Sequence, residues 1–228
     1  MSFKQFVKEL NNKENVEGEL IKVIIISLLT SLVILGLTYF IKFRHIEDFI
    51  PKYGFYLFFA AISYAFLIPS VYYVRAYKDF PCMSGMMIGM TIGMIAGFLS
   101  ALYVGATNGM FYGSIFGMVI GITFGSWMGK CCGIMGIMEG AMAGFMGALM
   151  GGMTAAMMLN DNLKIAIVII SLISIFILFG LNYMIYLETR ERKREHKEDI
   201  LFVPILTFIL VVLIMVMIVS GPRSLLFG

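Results

Sequence analysis

Charge is scarce in this chain. Asp, Glu, Lys and Arg make up 14% of its 228 residues, against 60% apolar residues and a mean hydropathy of +0.93. That composition lies outside the range of soluble globular domains and points to an integral membrane protein. With a net charge of only +3 and its basic residues in short stretches between apolar runs, the chain lacks the basic surface that nucleic acid requires. Histidine is nearly absent, and His45 and His196 fall on opposite sides of the predicted membrane. The three cysteines form no C-x-x-C pair and have no histidine nearby, which excludes a structural zinc site. A nucleotide-binding loop, a catalytic triad, a haem-attachment motif and HExxH are all missing, so neither intrinsic catalysis nor ATP-driven pumping is expected. The chain reads as something other than an enzyme.

What is present are long apolar runs. A helix needs about 20 residues to cross 30 Å of hydrocarbon, and seven stretches qualify, near 22–43, 54–75, 84–104, 109–129, 133–158, 164–187 and 200–220. The first run, Val23–Ile41, is longer than a signal-peptide core and no small-x-small cleavage site follows it, so it reads as a retained helix. Pro69 and Pro204 fall inside predicted spans as tolerated kinks. Residues 1–20 are polar, with Phe3, Phe6, Val7 and Leu10 at the spacing of one helix face, which predicts a cytoplasmic amphipathic segment ahead of a polytopic membrane domain over 21–228. A charged loop at 188–199, of mixed sign, separates the last two spans. Lys and Arg number twelve on the side of the N-terminus and five on the other, which predicts a cytoplasmic N-terminus and an outer C-terminus.

The spans differ in kind. Those at the ends of the chain are rich in Ile, Leu, Val and Phe, whereas the core over 82–158 is mostly Gly, Met, Ala, Ser and Thr. Glycine recurs every fourth residue there: Gly85, Gly89, Gly93, Gly97, then Gly105 after Ala101, then Gly109, Gly113, Gly117, Gly121, Gly125, Gly129 and Gly133. After a three-residue step it resumes as Gly136, Gly140 and Gly144. In water this costs about 1 kcal/mol per residue against alanine; in a bilayer, small residues four apart let helices pack closely. One helix from Gly85 to Gly133 would measure roughly 73 Å, so breaks are expected near Gly105–Asn108 and at Gly129–Gly133. The fold class that follows is all-α, with about seven transmembrane helices and a central, close-packed Gly/Met bundle shielded by the conventional helices or by neighbouring copies.

Sixteen of the twenty methionines lie between Met83 and Met158, and many repeat at helical spacing. Met86, Met90 and Met94 share one face; Met135, Met138, Met142 and Met146 follow in the last core span. Thioether sulfur is a soft, neutral ligand that suits Cu(I) or Ag(I), and a file of weak sites is what conduction needs. Methionine is equally a flexible filler for gaps beside glycine. Cys82, Cys131 and Cys132 all fall at predicted cytoplasmic ends of core spans, where thiolates would bind a soft metal more firmly; cytoplasmic placement argues against disulfides. Glu139 is the one ionisable side chain well inside a predicted span, a candidate for neutralising a cation or carrying a proton.

The steps from Met86 to Met90 and from Met90 to Met94, set among Gly-xxx-Gly, loosely resemble the Met-xxx-Met and Gly-xxx-Gly signature of eukaryotic high-affinity copper transporters over about twenty residues. The resemblance implies that Met86, Met90 and Met94 ligate Cu(I) and that the glycines pack helices. This chain departs from that family in having seven predicted spans instead of three, no methionine-rich outer domain, and both motifs on one helix. The leading expectation is a membrane protein that binds or conducts a soft metal, most plausibly Cu(I), through methionine-lined helices with cysteines at the cytoplasmic mouth. The alternatives are a glycine-zipper assembly subunit, as a homo-oligomer or with other membrane proteins, and proton or cation passage through Glu139.

Overall fold

The computed structural model describes residues 16–41, 53–77, 80–189 and 201–222. The expected amphipathic segment before residue 16 and most of the charged loop, 190–199, lie outside the described residues. Everything regular among the described residues is helical: α1 (Val16–Ile41), α2 (Phe55–Ala76), α3 (Cys82–Asn108), α4 (Met110–Gly129), a 3-10 turn (Lys130–Cys132), α5 (Gly133–Met157), α6 (Leu163–Thr189) and α7 (Phe202–Ser220). Six stretches are long and apolar enough to cross a membrane, and the fourth, Met110–Met157, runs through α4, the 3-10 turn and α5 for 48 residues. That stretch contains a reversal, because Gly133 takes a φ of 70°, a left-handed conformation that carries the chain out of the turn and into α5.

The first reversal, between α3 and α4, is made by Gly109 alone, with φ 103°. The break expected near Gly105–Asn108 falls on the residue just beyond: those four still belong to α3, and Gly109, expected as a packing position, is the turn. The reason lies in the contacts. A methyl on Gly105 would meet the Ala155 methyl at 3.1 Å, so Gly105 is held at a helix interface and the chain turns where its contact ends. Asn108, fully buried, anchors the turn by donating from Nδ2 to the Met217 carbonyl of α7 at 2.6 Å.

Glycine sets how α3, α4 and α5 meet. A methyl on Gly89 would lie 2.8 Å from the Gly129 Cα, one on Gly93 2.8 Å from the Gly125 Cα, and one on Gly121 2.8 Å from the Gly97 Cα. As numbers rise along α3 they fall along α4, so these helices are antiparallel. Gly125 abuts Gly140, Gly129 abuts Gly136 and Gly121 abuts Gly144, so α4 and α5 are antiparallel as well. Gly93 against Gly140, Gly97 against Gly144 and Gly105 against Gly152 show that α3 and α5 run parallel. Backbone stands against backbone along all three seams, an approach that only glycine and alanine permit.

Of the three glycine-rich helices α3 is largely buried, whereas the stretch through α4 and α5 is mostly uncovered. The elements packed on α2 are α1, α3, α6 and α7, while α5 packs chiefly on α3 and α4. Every buried residue of α5 is glycine or alanine. Helix α5 thus adheres by its backbone and turns its larger side chains, chiefly methionines, outward, where they stand exposed. The side-chain core lies on the other flank, where Tyr64, Tyr72, Tyr73, Tyr103, Leu67, Ile88 and Ile92 are fully buried. Hydroxyls tie that core together: Tyr103 OH lies 2.7 Å from Ser63 Oγ and 2.9 Å from Ser171 Oγ, linking α2, α3 and α6.

Candidate functional site

Because α3 and α5 run parallel in backbone contact, residues that leave the seam on the same side stand next to one another. Met90, Thr91, Met94 and Ile95 from α3 and Glu139, Met142, Ala143 and Met146 from α5 line one groove of about 620 Å³, closed on a further side by Ile177 of α6. Four of the methionines singled out by spacing, Met90, Met94, Met142 and Met146, are thus brought together with the Glu139 carboxylate. Each helix supplies two methionines four residues apart, one turn of helix, so both pairs face the groove.

The groove is polar only at Glu139 and Thr91, and the Thr91 hydroxyl is engaged in donating to the Met87 carbonyl at 2.7 Å. Glu139 is partly exposed and is the one charged group in the lining. The four methionines are 37% to 61% exposed, so their thioethers are open to a ligand instead of being sealed in a core. Chemically the groove offers soft sulfur donors, one compensating negative charge and apolar walls. Among the described residues no three His, Cys, Asp or Glu side chains stand together for a metal ion, so the soft-donor set has no hard-ligand counterpart.

The remaining expected site residues lie elsewhere. Met86, Met135 and Met138 are outside the groove lining, Met86 partly buried and the other two more than half exposed. All three cysteines gather at one end of the bundle, but Cys82 and Cys132 are joined in a disulfide. This corrects the expectation of three free thiols there. The parallel alignment of α3 and α5 sets the first residue of α3 beside the turn that precedes α5, so the two Cβ atoms meet; sulfurs bonded to each other are not thiolate ligands. Cys131 is the one free cysteine. Its thiol donates to the Met128 carbonyl at 3.4 Å and fills the space that a Gly85 side chain would need. Sequence reasoning missed Thr91, Ile95, Ala143 and Ile177, of which Thr91 and Ile95 flank the methionine register and Ile177 comes from a helix with no motif at all.

No protein-family model matches the chain, and no curated protein and no solved structure was found to be similar to it.

Proposed function

We propose that this chain is a seven-span, non-catalytic membrane protein that binds a soft monovalent cation, Cu(I) before others, in the methionine groove between α3 and α5. In this reading the 48-residue stretch crosses twice, the N-terminus is cytoplasmic and the C-terminus outside. The observation that carries the reading is the convergence of Met90, Met94, Met142 and Met146 with Glu139 on one groove. Neutral thioethers hold Cu(I) without charge, and a single carboxylate offsets its single positive charge. Backbone contact along the three glycine seams fills the middle of the bundle, which favours binding and transfer along its outer groove over conduction through its centre. The test is a Cu(I) titration of reduced, detergent-purified protein against a chromogenic Cu(I) chelator. Changing Met90, Met94, Met142 and Met146 together to leucine is expected to weaken the site by at least tenfold, while Cys→Ser changes leave it in place. Unaltered binding by the leucine variant overturns the reading.

A second reading has its own support. Apart from glycine and alanine, no residue of α5 is buried, and Met135, Met138, Met142, Met146, Met150, Met153 and Met157 are all exposed. A helix of that kind suits an assembly subunit whose methionine face meets another chain. Under this reading the leucine variant keeps its complex size in detergent and no stoichiometric Cu(I) is bound. Proton or cation passage at Glu139 is the third reading; flux in liposomes unchanged by Glu139→Gln removes it.

A further inference from the structure

The groove between α3 and α5 is far larger than a metal ion. Its volume of about 620 Å³ falls within the roughly 300–1,000 Å³ of clefts that enclose an organic molecule. The glycine seam sets its layout. Gly93 stands against Gly140 and Gly97 against Gly144, so Met90 lies less than one turn short of the level of Glu139, while Met142 and Met146 lie beyond it. From Glu139 to Met146 the helix advances about 10 Å. The carboxylate therefore stands toward one end of the groove, and an apolar length runs on from it.

That carboxylate has no counter-charge. Glu139 forms no ion pair and no hydrogen bond among the described residues, and no basic side chain lines the groove. The Thr91 hydroxyl is engaged with its own helix, and the rest of the lining is methionine, isoleucine and alanine. A lipid tail lying here would leave the carboxylate without a counter-charge, and a bare inorganic cation would leave the apolar length empty. A molecule with a positive charge at one end of an apolar body meets both. Thioethers suit such a body, because methionine is flexible enough to follow its outline and its sulfur makes favourable contacts with aromatic rings.

We propose that the groove binds lipophilic organic cations, with a quaternary or protonated nitrogen on Glu139 and a flat aromatic body along Met94, Met142 and Met146. This ligand class is separate from Cu(I), and its binding does not need the thioethers as metal donors. The full chain in phosphatidylcholine nanodiscs is titrated with ethidium, read by fluorescence anisotropy against empty nanodiscs. Binding is expected to saturate at one ethidium per chain, and phenanthridine, the same ring system without the charge, to compete poorly. Glu139→Gln is expected to weaken ethidium by about tenfold or more through loss of the charge pair, and Glu139→Asp, which keeps the charge, by less. Glu139 is partly exposed and unpartnered, so the glutamine variant should keep its helix content, as circular dichroism checks. The variant with leucine at all four groove methionines keeps the apolar wall and is expected to hold ethidium within about threefold. That variant is the one expected to lose Cu(I), so failure of the metal reading and failure of this one are told apart. Unchanged affinity in Glu139→Gln, or phenanthridine bound as tightly as ethidium, overturns the proposal. A loss in the leucine variant as large as that in Glu139→Gln overturns it too, since the anchor would then be sulfur. Uptake no greater than by empty nanodiscs also overturns it and leaves the groove to lipid tails or to a second copy of the chain.

Discussion

Whether a glycine can be replaced depends on what its missing methyl would meet. At Gly125 the methyl would run into the Gly140 carbonyl, and at Gly140 into that of Gly125, so alanine at either position has to part α4 from α5. Overpacking of this kind costs about 1–3 kcal/mol. At Gly36 and Gly180 a methyl would meet nothing within 4 Å, so alanine there is expected to be neutral or to stabilise by up to about 1 kcal/mol through helix propensity alone. Denaturant unfolding of the four variants in one detergent checks the contrast; equal effects at Gly125 and Gly180 would mean that the seams carry no packing energy. The cysteines supply a second residue-scale test. Alkylation without reductant is expected to label one thiol per chain, Cys131, and three after reduction, as counted by intact mass. Partial burial pushes the Cys131 thiol above its ordinary value, so it stays protonated at neutral pH and its alkylation rate should climb at a higher pH than that of a free thiol. The disulfide was not legible in the sequence, because compartment was inferred from topology, whereas the pairing follows from the alignment of two helices whose cysteines stand 50 residues apart.

At the level of elements, α3 is the hinge between two kinds of packing. Its glycines meet α4 and α5, and its other face buries Ile88, Ile92, Leu99 and Tyr103 against the conventional helices. Tyr103→Phe removes the hydroxyl shared with Ser63 and Ser171. At about 0.6 kcal/mol for an average hydrogen bond between membrane helices, the loss should come to roughly 1 kcal/mol, read as a lower melting temperature in detergent without loss of helix content. The positions of the elements were legible from the apolar runs, since a run long enough to span is hard to misread. Their turns were less so. Gly105 and Gly109 occupy successive rungs of one ladder, and nothing local separates a glycine that permits a contact from one that permits a positive φ. The groove was half legible: helical spacing placed Met90 with Met94 and Met142 with Met146, but their meeting depends on the parallel seam between α3 and α5. The stacking of Arg75 on Trp127 and Phe202 was not legible at all, because the three residues come from three separate helices.

In the whole molecule, the side-chain core and the glycine seams occupy different flanks, so stability and ligand access are divided between them. Substitutions in the groove are expected to alter binding with little effect on unfolding, since Met90, Met94, Met142 and Met146 are exposed, whereas those around Tyr64 and Tyr103 should do the reverse. Parallel measurement of Cu(I) affinity and unfolding on both sets checks that division.

The parallel seam also gives the groove a translational repeat. Four residues along an α-helix advance about 6 Å, so the groove lining repeats at that spacing, Met90 and Met94 on α3 and Met142 and Met146 on α5, enough for two stations on the proposed reading. Two monovalent cations 6 Å apart repel by about 3 kcal/mol at an effective dielectric constant of 20, and Glu139 brings a single negative charge to set against them. The second ion should therefore bind about a hundredfold more weakly than the first, and the titration should saturate at one Cu(I) per chain. On the proposed reading, the place left empty lies one helical turn from the bound ion, and the station nearer Glu139 should fill first.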